Sequence, residues 1–327
     1  MTTDAHILAA LHAAGSAGVS GAELAERLGI TRAAVWARIQ ELRALGFEIE
    51  ASPHHGYRLV RCPDRLLADD LLARVAHRVQ RIGRDIRVLA QTASTNDVAE
   101  KLALDGAREG VVVFAEEQTR GRGRLGRSWI SPPGKGLWFS VLLRPPLRTT
   151  EATQLTVTAA VSVCRSLRQT TGLPLEIKWP NDVTCRGRKV AGILTEMNAD
   201  PDTLHHVVLG IGVDVNLEPK DFPAELRDVA TSLRIESGQT LDRPALAASL
   251  LEALDTDYRR VCDGRFWEVA DEWARYCCTL GREVTLVLGS RRLTGRAEAL
   301  DETGALLLRT EHGLLERVIG GDVTTEK

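Results

Sequence analysis

Hydrophobic residues recur at helical spacing in three segments of the first 45 residues. The first segment has an apolar side formed by Ile7, Leu8 and Leu11. The second follows a capping box made by Ser20 and Glu23, and it is predicted to end at Gly29. The third is predicted to begin after Thr31 and to bury Val35, Ile39, Leu42 and Leu45. Short helices joined by short turns are typical of a helix-turn-helix domain.

Residues 47–60, FEIEASPHHGYRLV, alternate apolar and polar positions on both sides of a turn at His55–Gly56. This pattern predicts a β-hairpin, which would be the wing of a winged helix. Arg43 is expected on the same exposed side of the third helix as the residues predicted to contact DNA: Arg32, Ala33, Trp36, Ala37 and Gln40. Acidic residues nearby reduce the positive charge of this exposed side of the helix. A domain that binds another protein therefore remains the alternative.

A proline-containing segment, RCPDR at 61–65, predicts a domain boundary. Beyond it, alternating or continuous apolar runs predict strands at 111–118, at 137–143, at 205–216, and on both sides of a turn at Arg186–Gly187 within 175–197. Further strands near 283–288, 293–300 and 304–310 are typical of a small β-barrel. The chain is therefore predicted to be an α+β protein in three parts, at 1–62, 63–276 and 277–327.

Composition narrows the function classes. The 327 residues carry a formal net charge of −2, so any contact with nucleic acid or phosphate has to come from a local basic patch. The six cysteines form no C-x-x-C pair, which favours a reduced, cytoplasmic protein, and no metal-binding spacing is present. The start has no basic n-region of a signal peptide, and no apolar run reaches about 18 residues, so no membrane span is predicted.

The most unusual segment is QTRGRGRLGR, from Gln118 to Arg127, in which four arginines alternate with three glycines. Its glycines match G-x-G-x-x-G, but Pro132–Pro133 follows where a dinucleotide fold needs a helix. The P-loop pattern fails too, because Gly136 follows Gly134–Lys135. The segment is therefore predicted to be a loop, mobile without ligand, that binds an anion such as a polyphosphate. A short RNA-binding tract is the alternative.

Charged residues interrupt the apolar strand pattern further along the chain. Lys178, Asp182 and Lys189 lie within twelve residues of one another, near a Trp-Pro-Asn turn. Each alone is more typical of a solvated strand position, but the group indicates a site. In HHVVLGIGVDVN, at 205–216, Gly210 and Gly212 would allow a ligand ring to approach the strand closely.

Five segments together resemble the biotin–protein ligases: ASTND, EEQTRGRGRLGRSW, KWPNDV, GRKVAGIL and GIGVDVN. With the winged-helix start and the segment at 281–309, the chain is similar to the subclass that also represses transcription. The resemblance implies a central mixed-sheet ligase domain and a C-terminal SH3-like β-barrel.

The implied activity is formation of biotinyl-5'-adenylate from biotin and ATP with Mg²⁺. Biotin would then pass to a lysine of a biotin carboxyl carrier domain, such as that of acetyl-CoA carboxylase. The implied partners also include operator DNA near biotin-synthesis genes and a second copy of the chain in a ligand-linked homodimer. Two alternatives remain: a ligase whose winged helix no longer binds an operator, and a lipoate-type ligase.

The resemblance also implies roles for residues. Biotin would be bound by Ser94, Thr95, Asn96, Gln118, Gly121, Arg122, Gly123, Arg124, Lys189 and Gly192. The nucleotide would be bound by Arg122, Arg124, Arg127, Trp129, Asn181, Lys189, Asp214 and Asn216. The catalytic residues would be Lys189, Arg124 and Asp182. Asp214 stands where the family often has Asn, and a carboxylate there would accept a hydrogen bond but not donate one. Leu125 replaces a frequent basic residue of the loop.

Overall fold

The computed structural model describes residues 1–52, 55–200, 203–289 and 291–325. The N-terminal region has three helices and a hairpin: α1 Thr3–Ala14, α2 Gly21–Leu28, α3 Arg32–Ala44, β1 Glu48–Ser52 and β2 Gly56–Arg61. Both predicted helix starts are confirmed, because the hydroxyls of Ser20 and Thr31 accept the backbone N–H of Glu23 and Ala34. Pro53 and His54, in the predicted turn of the wing, lie outside the described residues.

Two predictions for α3 were wrong. Leu45 is 44% exposed rather than buried, because the helix ends at Ala44 and Leu45 already belongs to its C-cap. The guanidinium of Arg43 does not lie free beside Arg32, because its Nε donates to the carbonyl oxygen of Ile49 at 2.9 Å. Arg43 therefore ties α3 to the wing.

The helix α4, Ala68–Val75, follows the predicted boundary and packs in two directions. Ala73 belongs to the apolar core of the winged helix, whereas Leu71 and Val75 belong to the core of the central region. The link between the two regions is therefore a packed helix.

A seven-stranded mixed sheet forms the central region, in the order β3-β4-β5-β9-β8-β7-β6. Only the β3–β4 pair is parallel. The strands are β3 Asp85–Leu89, β4 Val111–Ala115, β5 Leu137–Leu143, β6 Leu175–Lys178, β7 Asp182–Cys185, β8 Arg188–Ala199 and β9 Leu204–Val213. The helices are α5 Thr95–Leu104, α6 Thr153–Thr171, α7 Leu233–Ser237, α8 Arg243–Cys262 and α9 Phe266–Tyr276. Packing of α6, α8 and α9 on the sheet builds the main core, while α5 packs on β4, β5 and β9 through a separate cluster.

The segment 175–197 differs from its prediction. The turn at Arg186–Gly187 is present, but the residues before it form two strands, β6 and β7, instead of one. The turn Trp179–Pro180–Asn181 separates them, because proline has no N–H to give to a sheet. The strand predicted at 111–118 ends at Ala115, which leaves Gln118 in a loop.

A five-stranded antiparallel sheet ends the chain, in the order β13-β12-β11-β10-β14. Its strands are β10 Glu283–Leu288, β11 Arg291–Leu300, β12 Leu306–Thr310, β13 Leu315–Val318 and β14 Asp322–Thr325. The sheet shares a core with the central region through Val284, Leu286 and Ala297. The turn before β14 thereby approaches the central sheet. Among the described residues, no helix combines the length and apolar character needed to cross a membrane.

Candidate active site

A pocket of about 590 Å³ opens over the central sheet, a size typical of small-molecule sites. Its walls come from the start of α5, the arginine-rich loop, the turn between β6 and β7, strands β8 and β9, and the approach to β14. Sequence-distant segments therefore meet at one place. Fourteen of the predicted site residues line this pocket: Ser94, Thr95, Asn96, Gln118, Arg122, Gly123, Arg124, Arg127, Trp129, Asn181, Asp182, Lys189, Gly192 and Asp214.

Neutral polar side chains at one end of the pocket fix one another. The carboxamide oxygen of Gln118 accepts from the backbone N–H of Thr95 at 2.8 Å and from its hydroxyl at 3.1 Å. The hydroxyl oxygen of Ser140 lies 2.7 Å from that of Thr95 and 2.5 Å from Oδ1 of Asn96. These side chains are held in place before any ligand binds, so ordering them costs little entropy on binding.

The arginines of the loop are held by partners on three other segments. Arg122 donates to Oδ1 of Asp97 at 2.6 Å and to Oε2 of Glu196 at 3.2 Å. Arg124 donates from Nη1 to Oδ1 of Asn181 at 2.9 Å. An anionic ligand that recruits Arg122 has to replace two carboxylates.

Lys189 and Asp182 form an ion pair in the pocket wall, with 2.6 Å between Nζ and Oδ1. The side chain of Lys189 is 31% exposed, and its ammonium lies 5.0 Å from the centre of the Trp129 ring, within the range of a cation–π contact. The backbone of Lys189 is also fixed, since its N–H donates to Val229 and its carbonyl accepts from Thr231, both at 2.8 Å. Lys189 is therefore a positioned pocket residue.

Three family models match the chain: the biotin/lipoate A/B protein ligase family at 88–214, an HTH domain at 4–58, and the biotin protein ligase C terminal domain at 279–324. The bifunctional ligase/repressor BirA of Bacillus subtilis (strain 168) is 36% identical over 310 residues, which cover 95% of this chain and 94% of that relative. This chain belongs to the biotin protein ligase family.

Two further relatives support the assignment to this ligase family. A biotin–[acetyl-CoA-carboxylase] ligase of Mycobacterium tuberculosis is 35% identical over 231 residues, covering 69% of this chain and 83% of that protein. The structure of a biotin protein ligase from Aquifex aeolicus in complex with biotin and ATP has a TM-score of 0.64 and 32% identity. It covers 75% of this chain and 99% of its own.

Asp214 differs from the expectation for a carboxylate in this ligase pocket. It is buried in the wall, and burial raises the pKa of its carboxyl well above the ordinary value, while the nearby charge of Lys189 lowers it by less. Below that raised pKa the group is a carboxylic acid, which can donate one hydrogen bond as well as accept. Asp214 can therefore both donate and accept a hydrogen bond, which an ionised carboxylate cannot.

Asp214→Asn is expected to stabilise the ligase at neutral pH but hardly at acidic pH. Because the folded state holds the Asp214 proton more tightly than the unfolded chain does, wild-type stability is lost as the pH rises from the ordinary toward the raised pKa. Asparagine does not titrate, so the variant does not lose this stability as the pH rises. Thermal unfolding of both proteins between about pH 5 and pH 8 measures the difference; parallel curves for the two proteins would contradict the assignment of a buried neutral acid.

Gly210 and Gly212, the two glycines predicted to allow close approach of a ligand ring, line the pocket. A Cβ at Gly210 would lie 2.3 Å from Oδ1 of Asn96, and a Cβ at Gly212 would lie 2.6 Å from Cε2 of Trp129. Both glycines thus also make room for protein side chains in this ligase. The indole N–H of Trp129 is buried and has no hydrogen-bond partner among the described residues, so it remains a donor for a ligand.

Two other predicted site residues lie away from the main pocket. The amide of Asn216 is engaged on both sides by the backbone of Leu241, donating at 2.9 Å and accepting at 3.0 Å, so it fixes the approach to α8. Gly121 lines a shallower pocket on the other side of the loop. A Cβ at Gly121 would lie 2.5 Å from the carbonyl oxygen of Trp129, so this glycine serves loop packing.

The sequence missed two parts of the pocket wall. One is an irregular segment after β9 that contributes Phe222, Leu226, Val229 and Ala230. The other is the start of β14, with Val323, and the residue before it, Gly321; Arg124 reaches the carbonyl oxygen of Gly321 at 3.4 Å. Neither segment carries a polar motif, so only the three-dimensional packing identifies them.

The predicted DNA-binding face of α3 is largely open. Arg32, Ala33 and Ala37 are exposed, and Trp36 is 58% exposed, whereas Gln40 is half-buried.

Proposed function

We propose that the pocket activates biotin with ATP and then transfers it to a lysine of a biotin carboxyl carrier domain. One observation carries the proposal: an ammonium, an arginine-rich loop and a fixed set of neutral hydrogen-bonding groups line one pocket. The cations suit the phosphates and the carboxylate of biotin, and the neutral groups suit a ring with polar edges. The family, its named substrates and the biotin–ATP complex of a relative support the same reaction.

In the first step, a carboxylate oxygen of biotin attacks the α-phosphorus of ATP. A carbonyl-O–P bond forms, the bond to the β-phosphate bridge breaks, and pyrophosphate leaves with the electron pair. Two anions have to approach each other, so fixed cations lower the barrier. Lys189 would stabilise charge on the carboxylate and the α-phosphate, and Arg122, Arg124 and Arg127 would hold the phosphate chain.

In the second step, the carrier lysine attacks the acyl carbon of the adenylate, and AMP leaves. The attacking amine has to lose a proton, and Asp182 is the carboxylate in the pocket wall next to Lys189 that would orient or accept it. We assign the biotin ring to the neutral groups Ser94, Thr95, Asn96 and Gln118. Trp129, Asn181 and Asp214 would contact the nucleotide, and Gly123 and Gly192 would allow close approach.

Mg²⁺ would enter this reaction bound to ATP. In proteins it keeps several waters and takes one or two carboxylates together with substrate phosphates. Among the described residues, the pocket has no cluster of three carboxylate, histidine or cysteine ligands, whereas Asp182 can offer one oxygen. The pocket therefore fits a phosphate-bound Mg²⁺, which supplies neutralisation of phosphate charge.

The first step is tested without a carrier. The protein is mixed with biotin, ATP and Mg²⁺, passed through a desalting column, and analysed by mass spectrometry after denaturation. We expect biotinyl-5'-adenylate in about one equivalent per pocket and release of pyrophosphate. Retention of unreacted ATP and biotin without pyrophosphate would contradict the proposal.

A second function, repression by operator binding, is supported by the exposed face of α3 and by relatives named as ligase/repressors. We propose that a homodimer presents two such faces to an inverted repeat near biotin-synthesis genes. A reducing, cytoplasmic location suits both functions, and the six cysteines are unpaired.

A buried network offers a route between the two functions. Arg243, only 1% exposed, donates to Oε2 of Glu116 at 2.6 Å and to Oδ1 of Asp64 in the linker at 3.2 Å. The backbone N–H of Leu66 donates to the other oxygen of Glu116 at 2.7 Å. Glu116 lies two residues before Gln118. These hydrogen bonds therefore join the winged-helix linker to the segment that forms the pocket.

Arg32→Ala is expected to weaken operator binding by about tenfold or more, because one positioned arginine on DNA contributes about 1–3 kcal/mol. Arg108→Ala is the matched control, since Arg108 is exposed on the central region and carries the same charge. Ligation should be unchanged in both. Binding is measured by footprinting with biotin and ATP at a fixed salt concentration. No protected palindrome at any ligand concentration would favour a winged helix with another role.

A further inference from the structure

Three chemically different side chains converge where the winged helix meets the central region. His12 lies in α1, Cys62 follows β2, and Asp70 lies in α4. One donor atom of each lies within 4.8 Å of the other two, and Nε2 of His12 is 2.9 Å from Oδ1 of Asp70. Their separation along the chain hides this group from any motif search, which explains why the sequence predicted no metal site.

The donor set is that of a zinc site. An imidazole nitrogen, a thiolate and a carboxylate oxygen bind Zn²⁺ at about 2.0–2.3 Å in a tetrahedral arrangement. Ligand atoms around such an ion lie roughly 3.5 Å apart, as those bond lengths require. The His12–Asp70 contact, 2.9 Å between Nε2 and Oδ1, would open slightly to admit the ion.

The surroundings support the group as ligands. Arg74 donates from Nε to Oδ2 of Asp70 at 2.8 Å, which fixes the carboxylate and leaves Oδ1 turned toward His12. A hydrogen bond to the second oxygen of a ligating carboxylate is typical of metal sites. The charge of Arg74 opposes a dication, and Arg74 also hydrogen-bonds the Cys62 thiol, so this contact has to break when the metal binds. Zn²⁺ with one thiolate and one carboxylate is itself neutral.

We propose that His12, Cys62 and Asp70 form a Zn²⁺ site that joins the winged helix to the central region. The side chain of His12 is 25% exposed, so water can reach the fourth coordination position. The Cys62 thiol releases its proton to solvent when the Zn–S bond forms. The three ligands come from both sides of the linker, so the metal would hold the two regions together.

Titration of the reduced, full-length protein with Zn²⁺ against a chromophoric chelator tests the site. We expect one equivalent bound by the wild type and none at the same free Zn²⁺ in Cys62→Ser and His12→Gln. Cys262→Ser is the matched control, since Cys262 is also half-buried but lies in α8, and it should bind as the wild type does. Zn²⁺ should raise the thermal unfolding midpoint of the wild type and of Cys262→Ser only.

Co²⁺ in place of Zn²⁺ gives a readout that needs no variant. A tetrahedral site with one thiolate should produce a sulfur-to-cobalt charge-transfer band, which added Zn²⁺ removes. Peptide mapping after alkylation should find Cys62 protected by Zn²⁺ and the other cysteines unaffected. Absence of the band, or protection of cysteines other than Cys62, would overturn the proposal even if the variants failed to fold.

Discussion

Lys189→Ala is expected to slow formation of biotinyl-5'-adenylate by about 10²–10³-fold, the usual cost of losing one fixed charge at a site of developing negative charge. The ammonium lies in the pocket wall, held by Asp182 at 2.6 Å and by the backbone contacts of β8. No other lysine is fixed in this way by both side chain and backbone in the described part of the pocket. Biotin-dependent exchange of pyrophosphate into ATP measures the loss, and biotin affinity should fall as well.

The substitution of Lys189 has two effects that the experiment has to separate: loss of the cation and a change in the charge balance of the pocket. Removing Lys189 also leaves the charge of Asp182 unbalanced in the pocket, which would repel the phosphates. The double variant Lys189→Ala/Asp182→Asn removes that repulsion, and we expect it to stay slow, because the missing cation is the main loss. Lys101→Ala, on the exposed side of α5, is the control for a lost surface charge. Unchanged exchange in Lys189→Ala would show that Lys189 is only a structural strand residue.

Arg124→Gly is expected to release the adenylate about 10–100-fold faster, since a hydrogen bond from a charged group contributes about 1.5–3 kcal/mol. Arg124 joins the loop to Asn181 at 2.9 Å and to the carbonyl oxygen of Gly321 at 3.4 Å, so it fastens the loop to two walls of the pocket. A loop without this contact opens and exposes the mixed anhydride to water and to other amines.

The release rate is measured after a single turnover by the appearance of free adenylate and of its hydrolysis products. Arg120→Gly is the matched control, because Arg120 is exposed in the same loop and the substitution adds the same backbone freedom. Only Arg124→Gly should leak adenylate and biotinylate unrelated lysines in added protein. Equal leakage from the two variants would show that loop flexibility, and not the contacts of Arg124, sets the retention.

The winged helix was predictable because its signals are local. The hydroxyls of Ser20 and Thr31 cap helices one turn away, and the apolar spacing within each helix identifies its buried side. The prediction failed at Leu45, because the helical spacing of apolar residues in the sequence continues past the last residue of the helix. It also failed at Arg43, whose partner, the carbonyl of Ile49, belongs to another element.

The site was predictable where its residues form a motif, and unpredictable where tertiary packing decides. Lys189, Asp182 and the loop arginines were found because charges stand out in apolar strands and glycine-rich turns. Asn216 belongs to one of the motifs as well, but its amide hydrogen-bonds the backbone of Leu241. The spacing of residues in the sequence does not predict this contact. Gly321 reaches the pocket only because the C-terminal sheet packs on the central core.

Intact-mass measurement of a carrier domain tests the central claim most directly. The full-length protein is incubated with ATP, Mg²⁺ and a biotin carboxyl carrier domain, with biotin in one reaction and lipoate in the other. We predict that the carrier gains the mass of one biotinyl group, that Lys189→Ala abolishes most of this gain, and that lipoate gives no change. A carrier that gains lipoate but not biotin, or neither, would contradict the account.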